Sequence, residues 1–223
     1  MEAVLQQFLN PAIAAKVFPY LLQGLGTTFL LSLLVVPLGF AGGLAVAVLW
    51  SLSRRWLRWL LIGYVDLFRA FPPLVLLLFI YFGFPFVGIN IPAILAVAIG
   101  FLLNTSSYYG EIFRAGIESI PRGQWEAARS TGLSWWQTMR HVIVPQATRN
   151  VLPDLISNTL EVVKLTTLAS VVAIQELLNA ARNAQALTYN PTPIVIAALM
   201  YLALLWPVVR LISRLEHKAV AVR

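Results

Sequence analysis

Long apolar runs limit what this chain can fold into more than any other feature. A bilayer span needs about 20 mostly apolar residues, wound so that every backbone group is satisfied internally. Five stretches qualify: Leu21 to Trp50, a run between Leu60 and Phe86, Ile91 to Tyr109, Val151 to Ile174, and Pro193 to Ile212. Asp66 and Arg69 interrupt the second, and Pro72-Pro73 follow. Its membrane part is therefore placed after Arg69, with Trp56 to Phe68 as an interfacial approach. The expected fold is an all-α integral membrane protein with five transmembrane helices, one domain over residues 1–223. Charged residues make up 11% of the chain and mean hydropathy is +0.79, against about 25% charged in soluble domains. A soluble nucleic-acid binder, the other reading of a net charge of +7, is thereby excluded. With no cysteine, disulfides, thiolate metal sites and cysteine nucleophiles are excluded too. The first twenty residues lack a basic n-region and a small-residue cleavage site, so they are not read as a cleaved signal.

Basic residues orient the spans. Arg54, Arg55, Arg58 and Arg69 separate spans one and two. Arg114, Arg122, Arg129, Arg140 and Arg149 separate spans three and four. Arg210, Arg214, Lys218 and Arg223 lie at or beyond the end of span five. Five spans place all of these on one side, opposite Lys16 and Arg182, and the positive-inside rule makes that side cytoplasmic. The expected N-terminus is outside and the C-terminus inside. Trp56, Trp59, Tyr64 and Trp206 suit interfacial anchoring. Gly39 and Gly43 have the spacing that permits close helix contact, which is not by itself a dimer interface.

The longest cytoplasmic connection, about 110–150, is patterned rather than disordered. Glu126 to Thr131 reads as a short helix, and Gly132 suits its left-handed C-terminal cap. Ser134 stands three residues before Gln137, the spacing of a capping box that opens a second helix. Pro145 is expected to break or kink that helix. Trp125, Trp135, Trp136 and Met139 need cover, from membrane-end helices or from a partner.

Glu126-Ala127-Ala128, then Gly132, then Val142-Ile143-Val144-Pro145 resembles the EAA motif of bacterial ABC importer permeases, with valines where that pattern prefers isoleucine and leucine. Tyr109 to Ile117, Ile120 to Gln124, Arg69 with Pro72, Pro145-Gln146-Ala147, Leu152-Pro153 and Lys164-Leu165-Thr166-Thr167-Leu168 are similar to the polar amino-acid branch of that family. The likeness runs from about Gly26 to Glu216. It implies a type I importer permease with five spans and a cytoplasmic coupling helix in the bacterial inner membrane. The permease would pair with a second copy or a sister permease, with ABC ATPase subunits below and an extracytoplasmic solute-binding protein above. Glu126, Ala127, Ala128, Gly132 and Pro145 would carry the coupling to the ATPase. The chain itself has no Gly-Lys-Ser/Thr phosphate loop, since its lysines are Lys16, Lys164 and Lys218 and none follows a glycine. It is thus expected to be no enzyme and to need no cofactor of its own, with ATP and Mg²⁺ bound by the partner ATPase.

Intramembrane ionisable residues are functional candidates by default. Asn104 in span three, and Asn158, Glu161 and Lys164 in span four, are the expected substrate pathway. Glu161 and Lys164 are one turn apart and suit an ion pair. Alternatively Glu161, where the family usually has a small or apolar residue, holds a substrate's cationic group. Phe71 and Pro73 also depart from the family pattern, which often has threonine and leucine there. Thr105 and Ser106 are polar neighbours that suit bonds to helix carbonyls. Glu111 and Arg114 suit a structural pair. His141 and His217 are isolated, and no metal site is expected. The competing function is an ion-coupled secondary transporter with Glu161 as relay.

Overall fold

In the computed structural model of the protein, the described residues are 6–52 and 55–220, the side chains of 211–220 excepted. The expected roles of Arg54, Arg214, His217, Lys218 and Arg223 fall outside them. Contacts divide the chain into two units. One comprises Met1–Val36, Pro73–Gly100 and Leu160–Arg223, the other Pro37–Pro72 and Phe101–Thr159.

The first helix, α1 (Pro11–Leu52), begins ten residues before the apolar run. The Asn10 side chain accepts the amides of Ala12 (3.0 Å) and Ile13 (3.3 Å), and Pro11 supplies a first-turn residue with no amide to satisfy. The boundary between units falls inside α1 at Pro37, a residue that cannot complete the helical ladder.

In the first unit, Val17 and Leu21 of α1 bury against Leu177, Ala180, Ala181 and Ala184 of α8 (Leu177–Thr188) and Ala197 of α9 (Thr192–Val220). The small alanine face lets the backbones close. A Cβ on Gly24 would stand 2.9 Å from the Ala180 Cβ and 3.0 Å from the Leu177 Cα. α3 (Pro73–Leu78) runs on through a π turn (Phe79–Gly83) and a 3₁₀ turn (Phe84–Val87), ending on Gly88 at φ +82°.

In the second unit, α2 (Arg55–Ala70) buries Leu61 and Val65, one turn apart, and leaves Trp56, Trp59, Leu60 and Leu67 exposed. Tyr64 departs from the anchoring role. Its hydroxyl donates to the Leu103 carbonyl (3.2 Å) and meets the Ser106 hydroxyl (2.6 Å), because the tyrosine faces inward with Leu61 and Val65 rather than outward with the tryptophans. The C-terminal half of α4 (Ala93–Glu118) meets α1 along Gly39, Gly42 and Gly43. Cβ atoms there would fall 2.1 Å from the Thr105 Oγ1, 2.8 Å from the Ser106 Cβ and 2.3 Å from the Tyr109 Cβ. The glycine spacing thus serves a contact within the chain.

α5 (Arg122–Ser130) and α6 (Trp135–Thr138) form the hairpin, and α7 (Val144–Leu165) follows. Pro145, expected to break or kink the helix, does not break it. A π turn over Met139–Ile143 precedes it, with the Val144 amide bonded to the Met139 carbonyl. That wider turn takes up the hydrogen bond and the space that proline would otherwise disrupt. Helix is continuous from Trp135 to Val172, ending in a 3₁₀ stretch over Thr166–Val172. By length and hydropathy, four described helices can cross a membrane, or five if the pair interrupted at Phe71-Pro72 counts as one span.

Candidate functional site

The hairpin is built from local signals. Pro121 at φ −57° and ψ 142° launches α5, four residues earlier than the expected Glu126. Gly132, at φ +82°, ends it, a conformation that costs a glycine least. The capping box at the start of α6 is complete: the Gln137 amide donates to the Ser134 hydroxyl (3.3 Å), and the Ser134 amide donates to the Gln137 side-chain oxygen (2.8 Å). Ile120, Met139, Ile143 and Ala147 form a small core, covered by Ile117, Trp125, Trp135 and Val142. Trp136 remains exposed.

The motif residues divide by face. Ala128 is buried inside the hairpin, while Glu126, Ala127, Gly132 and Pro145 are exposed. The Glu126 carboxylate makes no hydrogen bond or ion pair with any described residue; the Ser130 hydroxyl bonds to its backbone carbonyl at 2.9 Å. The hairpin therefore presents a short, exposed helix with an uncommitted anion. At its base the Asn150 amide donates to the Ser119 hydroxyl (2.9 Å), and a Cβ on Gly116 would stand 2.9 Å from Val151. The end of α4 is thus held against α7, and the Gln146 amide ties α5 to α7 through the Gln124 side-chain oxygen (3.3 Å).

The expected pathway residues fall into separate settings. Asn104 is 1% exposed and donates to the Phe68 carbonyl (2.9 Å), while its side-chain oxygen has no partner among the described residues. Thr105 and Ser106 donate to helix carbonyls, as expected. The Asn158 amide nitrogen is also buried and unpartnered among the described residues. Nearby in sequence, Thr159 meets the Tyr109 hydroxyl at 2.7 Å. Glu161 and Lys164 do pair, at 2.5 Å, and their side chains are 64% and 50% exposed. The Lys164–Leu168 segment marks the change from α-helix to 3₁₀, with the Thr166 and Thr167 hydroxyls returning to the Val163 and Lys164 carbonyls.

Glu111 and Arg114 also pair, at 2.5 Å, within a larger network that adds Glu118 at 2.6 Å and Arg69 at 3.9 Å. The sequence reading missed Glu176 altogether. This carboxylate is fully buried and caps α8, accepting the amides of Leu178 (2.9 Å) and Asn179 (2.7 Å) and the Tyr201 hydroxyl (2.7 Å). The Thr28 hydroxyl accepts the neighbouring Leu177 amide at 3.1 Å. Burial raises its pKa above the usual carboxylate range, against these hydrogen bonds. A lone acid just before an apolar helical pattern was the available signal. Among the described residues no group of histidine and acidic side chains is arranged to hold a metal.

The family model for binding-protein-dependent transport system inner membrane components matches residues 39–220. The probable amino-acid ABC transporter permease YckA of Bacillus subtilis (strain 168) is 38% identical over 89% of this chain and 88% of its own length. The probable glutamine ABC transporter permease GlnM of the same organism is 34% identical over 94% and 98%. A chain from the crystal structure of an amino acid ABC transporter with histidines superposes with a TM-score of 0.83 at 35% identity, covering 92% of this chain and 96% of that one. A chain of the inward-facing MetNI methionine ABC transporter shares the fold, with a TM-score of 0.70 at 21% identity. With its helical hairpin and membrane-length helices, the chain belongs to the family of binding-protein-dependent transport system inner membrane components.

Proposed function

We propose that the chain is the membrane-spanning permease subunit of an ATP-driven importer for polar amino acids or similar small zwitterions. The exposed hairpin is the observation that carries the coupling part of this reading. An ATPase delivers work only through contact, and α5 offers an ordered contact: Glu126 and Ala127 outward, Ala128 packed inward, Gly132 fixing the turn. The helix that begins at Trp135 runs on past Pro145 into α7, a path from that contact toward the membrane. Relatives named for amino-acid transport support the substrate class. Asn104, Asn158, Glu161 and Lys164 line the pathway, the first two through unpartnered buried atoms and the last two through an exposed ion pair. An extracytoplasmic binding protein delivers the solute, a second permease copy or sister chain completes the passage, and ATP and Mg²⁺ stay with the ATPase. The N-terminus lies outside and the C-terminus in the cytoplasm. The alternative is an ion-coupled carrier with Glu161 as relay, and uptake without an ATPase would favour it.

The test is a double substitution, Glu126→Arg with Gly132→Pro. Proline cannot adopt the positive φ of Gly132. The permease should still insert in the membrane but lose its ATPase on co-purification. Normal recovery of the ATPase would refute the docking assignment.

A further inference from the structure

We propose that a cavity beside α2 and α4 is a second binding site, taking a zwitterionic α-amino acid; this rests on the importer reading and adds a station to it. The cavity, of about 250 Å³, lies within the second unit and is lined by Asp66, Arg69, Glu111 and Arg114 against apolar walls that include Val46 and Val65. Two carboxylates and two guanidinium groups give it no net charge, which suits a dipolar ligand better than a simple anion or cation.

The four charges are unequally committed. Arg114 is committed through all three of its nitrogens, with Nε and Nη2 on Glu111 (2.9 and 2.5 Å) and Nη1 on Glu118 (2.6 Å). Arg69 is not. Its nearest carboxylate oxygen, on Glu111, is 3.9 Å away, its side chain is 41% exposed, and it rests over the Tyr108 ring at 5.4 Å. The Asp66 carboxylate makes no hydrogen bond or ion pair with any described residue. Once the internal network is satisfied, one anion and one cation remain, three residues apart on α2. Side chains so spaced emerge about 5–6 Å apart. An α-amino acid carries its ammonium and carboxylate on a single carbon, so one molecule reaches Asp66 and Arg69 together. A ligand with either charge alone leaves one of them unmatched. The apolar wall receives the α-carbon and the start of the side chain. The site stands on α2 and α4, next to the hairpin, and shares no residue with the Glu161–Lys164 pair on α7.

The experiment is equilibrium dialysis of the full-length permease against L-glutamine, L-glutaminamide (no carboxylate) and N-acetyl-L-glutamine (no ammonium). The unaltered protein should bind L-glutamine more tightly than either analogue by about tenfold or more, the worth of one charge-assisted hydrogen bond. Asp66→Asn should abolish discrimination against the N-acetyl compound, and Arg69→Gln discrimination against the amide. Asp66→Glu should retain the former, which separates charge recognition from misfolding. The inference is overturned if the unaltered protein does not discriminate, or if Asp66→Asn and Arg69→Gln discriminate as it does. Binding-protein-dependent uptake with no such discrimination would sink this site and spare the importer reading. The switched pattern without ATP-driven uptake would do the reverse.

Discussion

At Gly43 one missing methyl group lets two helices meet. A Cβ there would stand 2.3 Å from the Tyr109 Cβ and 2.7 Å from the Gly110 amide nitrogen. The backbone atom cannot swing aside as the end of a side chain can. Gly43→Ala should therefore destabilise the protein by about 1–3 kcal/mol, the usual cost of overpacking. Gly63, on α2, has no heavy atom within 4 Å of its would-be Cβ. Gly63→Ala should stabilise by about 0.5–1 kcal/mol, because alanine loses less backbone freedom in a helix. Unfolding of the two variants in the same detergent checks both signs. A glycine spacing in sequence says only that close approach is permitted. Whether the partner is another chain or α4 of the same one depends on residues some sixty positions away.

Helix ends show the same division at the scale of elements. The hairpin was legible because its signals act over three or four residues: Gly132 needs only its own φ, and the Ser134–Gln137 box closes on itself. Glu176 was not legible, because what makes it notable is remote. It caps α8 while Tyr201 of α9 donates to it and Thr28 of α1 caps the adjacent amide. Its pKa is raised, chiefly by burial, so the folded protein binds this proton more tightly than the unfolded chain does. Its contribution to stability is then greatest below the ordinary carboxylate range and declines as pH rises through the raised value. Glu176→Gln, which cannot ionise, should be more stable than the unaltered protein at neutral pH, and the gap should narrow on acidification. Thermal unfolding midpoints at several pH values measure this. A constant gap would mean that the carboxylate does not titrate in that range.

For the molecule as a whole, the question is whether the exposed pair on α7 takes part in transport. Glu161 and Lys164 neutralise each other, yet both side chains lie on the surface of the chain, where a charged solute could exchange for either partner. Glu161→Gln should weaken binding-protein-dependent uptake of a cationic amino acid about tenfold while reducing that of a neutral one far less, as loss of one charged contact implies. Uptake of both substrates into proteoliposomes decides the matter. Equal losses would assign the pair to structure alone.

Much of the molecule was set by sequence alone: the membrane-length helices, the polar hairpin between them, its glycine turn and its capping box. These depend on hydropathy and on bonds that close within one turn, so neighbouring residues determine them. Tertiary structure decided the rest. It directed the Gly39–Gly43 face to α4, turned Tyr64 inward, carried the helix past Pro145 and buried Glu176. It also brought Asp66 and Arg69 of α2 beside Glu111 and Arg114 of α4. Except at Pro145, where the π turn closes within five residues, each of these joins residues far apart in the chain, and charge or size takes its meaning there from a neighbour that only folding supplies.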